Sequence, residues 1–134
     1  MTPVPTVGVI CFRGDEVLLI RRGKPPRMGD WSIPGGRLEW NEAVRDCGLR
    51  ELMEETGVRA ELLGIVDVLD GFFGDQRHYV LIDYAARWLE GEPVAGDDAI
   101  DARFFPVDEA IATVEWVTTK QVIRDAWDRF RAEL

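Results

Sequence analysis

The chain has 134 residues, 46% apolar and 31% charged, with 16 Lys and Arg against 25 Asp and Glu for a net charge of −9. That length supports one hydrophobic core rather than two, so a single domain over residues 1–134 is expected. The acidic balance argues against a nucleic-acid-binding surface, which calls for a basic patch. It leaves an anionic small-molecule substrate open, because a metal and a few local arginines can invert the potential of one cleft.

The N-terminal stretch Met1-Thr-Pro-Val-Pro-Thr-Val7 lacks both the basic start and the apolar run of a signal peptide. No apolar stretch approaches the ~18 residues of a membrane-crossing helix. The two cysteines, Cys11 in a predicted strand and Cys47 in a predicted helix, read as buried thiols rather than a disulfide framework. A cytoplasmic protein without a membrane partner is the expectation.

Thr6 to Phe12 is a nearly continuous apolar run, followed by Arg13-Gly14-Asp15 and then Glu16 to Arg21. The pattern predicts two strands joined by a tight turn. Arg21 to Arg27 is the one dense positive patch of the chain. It reads either as a solvated loop or as a phosphate contact, with Arg21 and Arg22 at the strand end better placed than Lys24 or Arg27. Trp31 to Ile33 is a short strand entering Pro34-Gly35-Gly36.

Asn41 is a good N-cap, Glu42 suits the positive end of a helix dipole, and Gly57 is a natural stop, so a helix is predicted over 42–56. Glu54 and Glu55 follow Glu51 by three and four positions and project from the same face. Like charges so close, near the helix end that disfavours anions, repel unless a cation joins them. Oxygen-only donors suit a hard ion such as Mg²⁺ or Mn²⁺. A solvated acidic face is the bland alternative.

Arg59 to Phe73 reads as a strand broken or bulged at Gly64, Gly71 to Gln76 as a loop, and Arg77 to Trp88 as the returning strand of a long hairpin. Phe72 and Phe73 either stack a base or fill core, with core favoured. His78, the lone histidine, reads as a structural residue. A turn at Glu90 to Pro93 leads into the acidic loop Val94 to Asp98, a strand over 102–107, and a short helix opened by Asp108-Glu109. A last helix, capped by Thr118 or Thr119 and reaching about Ala132, carries an apolar stripe of Val122, Ile123, Ala126, Trp127 and Phe130. Strands alternating with helices give an α/β fold, and the dominance of hairpins makes the sheet mixed.

One pattern adds more than these periodicities. Gly36, five residues, Glu42, seven residues, then Arg50-Glu51-Leu52-Met53-Glu54-Glu55-Thr56-Gly57-Val58, preceded by Trp31 to Gly36, resembles the box of the Nudix (MutT-like) hydrolases. Within that family the chain is most similar to the small bacterial ADP-ribose pyrophosphatase-like group. The resemblance implies an α/β/α sandwich with a mixed sheet and the box as a loop–helix–loop. It implies that Glu54 and Glu55 hold Mg²⁺ or Mn²⁺, that Glu51 is a further ligand or the base that activates water, and that the Gly36 carbonyl adds a backbone ligand. It implies a structural Arg50, its fork pairing with a carboxylate such as Glu42. The implied reaction is hydrolysis of a nucleoside diphosphate linked to a further group X.

The proline and tyrosine downstream of the box that mark the ADP-ribose and dinucleoside polyphosphate subclasses are missing, since positions 73 to 76 hold Phe, Gly, Asp and Gln. An NDP-sugar such as ADP-ribose therefore stands only slightly ahead of a (d)NTP of the mutator-suppressing type. A non-catalytic nucleotide sensor is the alternative from another class. A further carboxylate, from the loop after the long hairpin, is expected at Asp97 or Asp98, with Asp101 third. A homodimer is compatible with the sequence and not required by it.

Overall fold

The structure, a computed structural model, describes residues 2–134. Strands β1 (Val4–Arg13) and β2 (Glu16–Arg22) leave the Gly14-Asp15 turn as an antiparallel hairpin that pairs only at Phe12–Val17 and Arg13–Glu16 before diverging. Short β3 (Trp31–Ser32) pairs with β2, and β4 (Gly35–Arg37) with β1. After helix α1 (Val44–Thr56) come β5 (Arg59–Phe72) and β6 (His78–Glu90), the long antiparallel hairpin. Strand β7 (Ala99–Pro106) then pairs with β2, and helices α2 (Val107–Thr113) and α3 (Val117–Phe130) close the chain.

The sheet is mixed, as the hairpins imply, but its central pairing is parallel. Strands β1 and β6 run side by side from Val4–Tyr79 to Phe12–Arg87. A strand so placed is buried on both faces, and this explains the unbroken apolar run of β1. Val7, Val9 and Cys11 meet Cys47, Leu52 and Val58 under α1. Ile10 and Phe12 meet Val122, Ile123 and Ala126 under α3. The result is the expected α/β/α sandwich. Leu52 is fully buried and anchors α1 to the sheet, a contact worth about 1.5–3 kcal/mol for one such side chain.

The bulge expected at Gly64 is present, as a register shift against β6 between Leu62 and Gly64. Both cysteines are free and buried, and burial pushes each thiol up to about 12, leaving them unreactive. Helix α1 starts two residues later than its capping residues predict. Asn41 adopts φ 63°, and Ala43 precedes the helix without a side-chain cap. Glu42 is drawn out of the first turn because its carboxylate is held by Arg50. Neither threonine caps α3; Trp116 stands at that position and Thr119 is buried inside the helix. Strand β7 begins at Ala99, three residues early, because its ladder with β2 extends to Arg22. Among the described residues no helix is long and apolar enough to cross a membrane.

Candidate active site

A cleft of about 590 Å³ opens between α1, the β2–β3 loop, the loop after β6 and the start of α3. At one end stand the α1 carboxylates. Oxygens of Glu51, Glu54 and Asp97 lie within 4.8 Å of one another, an all-oxygen set that fits a hard divalent cation. Asp97 reaches this cluster because its loop docks on the C-terminal end of α1. The Val94 N–H donates to the Thr56 carbonyl (2.9 Å) and the Gly96 N–H to the Glu55 carbonyl (3.0 Å), satisfying carbonyls that α1 leaves free. A Cβ on Gly96 would lie 2.5 Å from the Glu54 carbonyl oxygen, so only glycine permits that approach.

Gly36 faces the cluster from β4, where a Cβ would collide with the Glu51 carboxyl. Glu55 lies outside the trio. Its Oε1 accepts the Gly35 N–H at 2.7 Å, and burial pushes the acid up to about 8, with Glu51 and Asp97 adding to the rise and the Gly35 N–H opposing it. Burial also raises Glu51, while its Arg50 contact pulls the other way. Both acids thus resist ionisation unless positive charge arrives.

Arg50 binds the cluster together. Its Nε and one terminal nitrogen donate to the two Glu42 oxygens (2.7 and 3.1 Å), while the other reaches Glu51 (2.9 Å) and Glu54 (3.1 Å). It also donates to the Arg37 carbonyl at 3.2 Å. The fork holds Glu42 well below the usual carboxylate range, at about 2. The expected pairing of Arg50 with Glu42 is present.

The other expected residues divide. Arg22 lines the cleft beside Lys24 and Arg27, whereas Arg21 turns away and donates to the Gly29 carbonyl (2.9 Å). Arg22 stays on the cleft side with Ile20 although the ladder with β7 shifts register between Arg21 and Arg22. The phenylalanines divide at the end of β5, which stops at Phe72. Phe73 lines the cleft with Tyr79 and Trp116, at ring distances of 5.8 and 5.1 Å, and Phe72 is 69% exposed, stacked on His78. Phe72 is therefore neither core nor cleft. His78 is structural as read, paired with Asp70 (2.9 Å) outside the cleft. Asp98 lines the cleft but is engaged by Lys24 Nζ at 2.5 Å. Tyr79, Asp83 and Trp116 are cleft residues that the sequence did not single out.

Residues 2–131 match the family model described as NUDIX domain. The chain belongs to this family. Among relatives, it is 34% identical over 107 residues to the ADP-ribose pyrophosphatase of Methanocaldococcus jannaschii, covering 79% of this Nudix chain and 63% of that protein. It is 36% identical over 107 residues to the NAD-capped RNA hydrolase NudC of Pseudomonas aeruginosa, covering 78% of this chain and 36% of NudC. The chain thus spans less than two thirds of either relative. The crystal structure of a MutT NUDIX hydrolase from Burkholderia pseudomallei superposes with a TM-score of 0.81 at 26% identity, over 93% of this chain and 98% of that one.

Proposed function

We propose that this Nudix chain hydrolyses, with Mg²⁺ or Mn²⁺, the diphosphate bond of a nucleoside diphosphate linked to a group X, an NDP-sugar such as ADP-ribose standing ahead of a (d)NTP. The observation that carries this reading is the cluster of Glu51, Glu54 and Asp97 oxygens at one end of a cleft whose lining also carries Arg22, Lys24 and Arg27 and the rings of Phe73, Tyr79 and Trp116. Those three residues, with Glu55 and the Gly36 carbonyl beside them, would hold the metal. Bound there, the metal supplies charge neutralisation for the pyrophosphate oxygens and Lewis acidity toward water. Glu51 sits where its carboxylate can serve as a further ligand or as the base for the attacking water. Arg22, Lys24 and Arg27 suit contacts to phosphate oxygens, Arg22 in bidentate form. Phe73, Tyr79 and Trp116 suit a stacked base.

The relatives' names support the NDP-X reading, since ADP-ribose and NAD both carry an internal diphosphate. The name NAD-capped RNA hydrolase also brings an RNA 5′ end among the candidate substrates, against the expectation drawn from net charge. One screen tests the proposal: ADP-ribose, other NDP-sugars, NAD, a NAD-capped RNA and (d)NTPs, each with Mg²⁺, read by product chromatography. Cleavage of an NDP-X compound that stops on chelation is the expected result. Release of pyrophosphate from (d)NTPs alone would shift the reading to that class. Tight nucleotide binding with no hydrolysis of any compound would make the protein a sensor.

Asp97 and Asp98 have different expectations. Asp97→Asn removes an oxygen charge from the cluster and should lower kcat about tenfold or more, near 1.4 kcal/mol of barrier. Asp98→Asn loses an exposed pair with Lys24, worth at most about 1 kcal/mol, and should leave kcat within about threefold. Steady-state kinetics with thermal melts of both variants check the contrast; equal losses would remove the distinction.

A further inference from the structure

Asp83 lies on the floor of the cleft, away from the carboxylate cluster, and is 6% exposed. It stands on β6 opposite Gly8 of β1 on one side and Asp67 of β5 on the other. A Cβ on Gly8 would collide with its Oδ1, so the glycine leaves the space that the carboxyl fills. Ile33 approaches the same point, and the cleft lining carries apolar Ile20, Leu81 and Val122 together with polar Ser32 and Thr119. No protein donor bonds the carboxyl, and the one charge acting on it, Asp67, is of like sign. Because no side-chain oxygen among the described residues is both sealed off and unpartnered, the Asp83 oxygens open on the cleft. Burial first, and Asp67 second, push the acid up to about 7.

A buried carboxyl without a partner costs free energy that nothing in the fold recovers. In ligand sites, a small number of placed polar groups among apolar walls fixes the orientation and identity of the ligand. We propose that Asp83 is a specificity residue that selects a purine bearing an exocyclic amine, accepting a hydrogen bond from that amine. The proposal rests on the nucleotide-hydrolase reading above. The aromatic group of Phe73, Tyr79 and Trp116 supplies stacking, which any base satisfies; the carboxyl supplies the discrimination. A carboxylate accepts from the paired ring N–H and amine of guanine. A carboxylic acid can accept from the adenine amine and donate to the adjacent ring nitrogen. Unsubstituted purine has neither the amine nor a ring N–H, so it offers a carboxylate no donor and leaves the accepting oxygen of a carboxylic acid unpaired.

Titration calorimetry of the full chain with AMP, GMP and purine riboside 5′-monophosphate, without divalent metal, reads this contact independently of turnover. The wild-type protein should bind AMP or GMP at least about tenfold more tightly than purine riboside 5′-monophosphate, since a site built around a hydrogen bond rejects the analogue that lacks its partner. Asp83→Asn, which presents a donor as readily as an acceptor, should bring that ratio below about threefold while a thermal melt confirms folding. Purine riboside 5′-monophosphate binding as tightly as both amino purines, no binding of any of the three at millimolar concentration, or an unchanged ratio in Asp83→Asn would overturn the proposal. The wild-type ratio decides even if the variant fails to fold. Hydrolysis without base preference would overturn this inference alone, and amine-selective binding without hydrolysis would overturn the catalytic reading alone.

Discussion

Replacing Glu54 by Gln is expected to lower kcat about a thousandfold while leaving the fold intact. Glu54 is one of the two exposed members of the oxygen cluster, with its side chain 43% accessible, and its one protein partner is Arg50 at 3.1 Å. Its removal therefore leaves no buried group stranded, and the melting temperature without metal should stay near wild type. What it takes away is a full negative charge from the set that fits the cation. A metal supplies several kcal/mol of charge stabilisation in phosphoryl chemistry, and about 4 kcal/mol corresponds to three orders of magnitude in rate. Kinetics across a Mg²⁺ titration separate two routes to that loss. A weakened site recovers at high Mg²⁺, and a misplaced ion does not. A variant with wild-type kcat at ordinary Mg²⁺ would take Glu54 out of the metal site.

The parts of this site legible from the sequence are those carried on one element. Glu51, Glu54 and Glu55 share a helix at fixed angular spacing, and Arg50 with Glu42 belongs to the same short motif, so their proximity follows from local geometry. The aromatic and carboxyl lining of the cleft does not follow in that way. Tyr79 and Asp83 reach it because β6 pairs in parallel with β1, a non-local choice that reading successive hairpins could not supply. Trp116 arrives from a segment that looked like the lead-in to a helix.

Adjacent pairs were harder still. Arg21 and Arg22, like Phe72 and Phe73, are equivalent in composition, and the local backbone path, a register shift before Arg22 and the end of β5 at Phe72, decides which member faces inward. Lys24 and Arg27 were ranked below Arg21, yet both line the cleft, because the loop folds back over it. For Asp97 and Asp98 the choice is made by Gly96, whose docking on the end of α1 turns one aspartate to the cluster and leaves the other to Lys24. The early end given to Asn41 as a cap has a related cause. Capping preference is worth about 1 kcal/mol, and the bidentate grip of Arg50 on Glu42 overrides it.

Arg50→Lys is expected to behave like Arg50→Ala rather than like wild type, losing about 2 kcal/mol of stability and at least about tenfold in kcat. The guanidinium does work that depends on shape. It spans Glu42 with two parallel bonds while its other face bridges Glu51 and Glu54, and one nitrogen also reaches the Arg37 carbonyl. An ammonium is a point charge with no fork, so it can serve one of these partners at a time. Hydrogen bonds to charged groups contribute about 1.5–3 kcal/mol each. The Arg50 side chain is 24% exposed and several bonds share one donor group, so solvent screening and overlap bring the sum down to the lower figure. The pH dependence carries its own sign. Glu42 is held at about 2 against an ordinary 4.5, so the stability it contributes is complete above 4.5 and is lost as pH falls toward 2. Without Arg50, that acid-side loss should disappear, and the variant should differ from wild type more at pH 6 than at pH 3. Activity should fall because Glu51 and Glu54 lose the tether that fixes their carboxyls toward Gly36 and Asp97. A double-mutant cycle of Arg50→Lys with Glu42→Gln, followed by urea unfolding at both pH values, measures the coupling directly. Additive losses, or a lysine variant equal to wild type in melting and kcat, would mean that charge alone holds the loop to the helix.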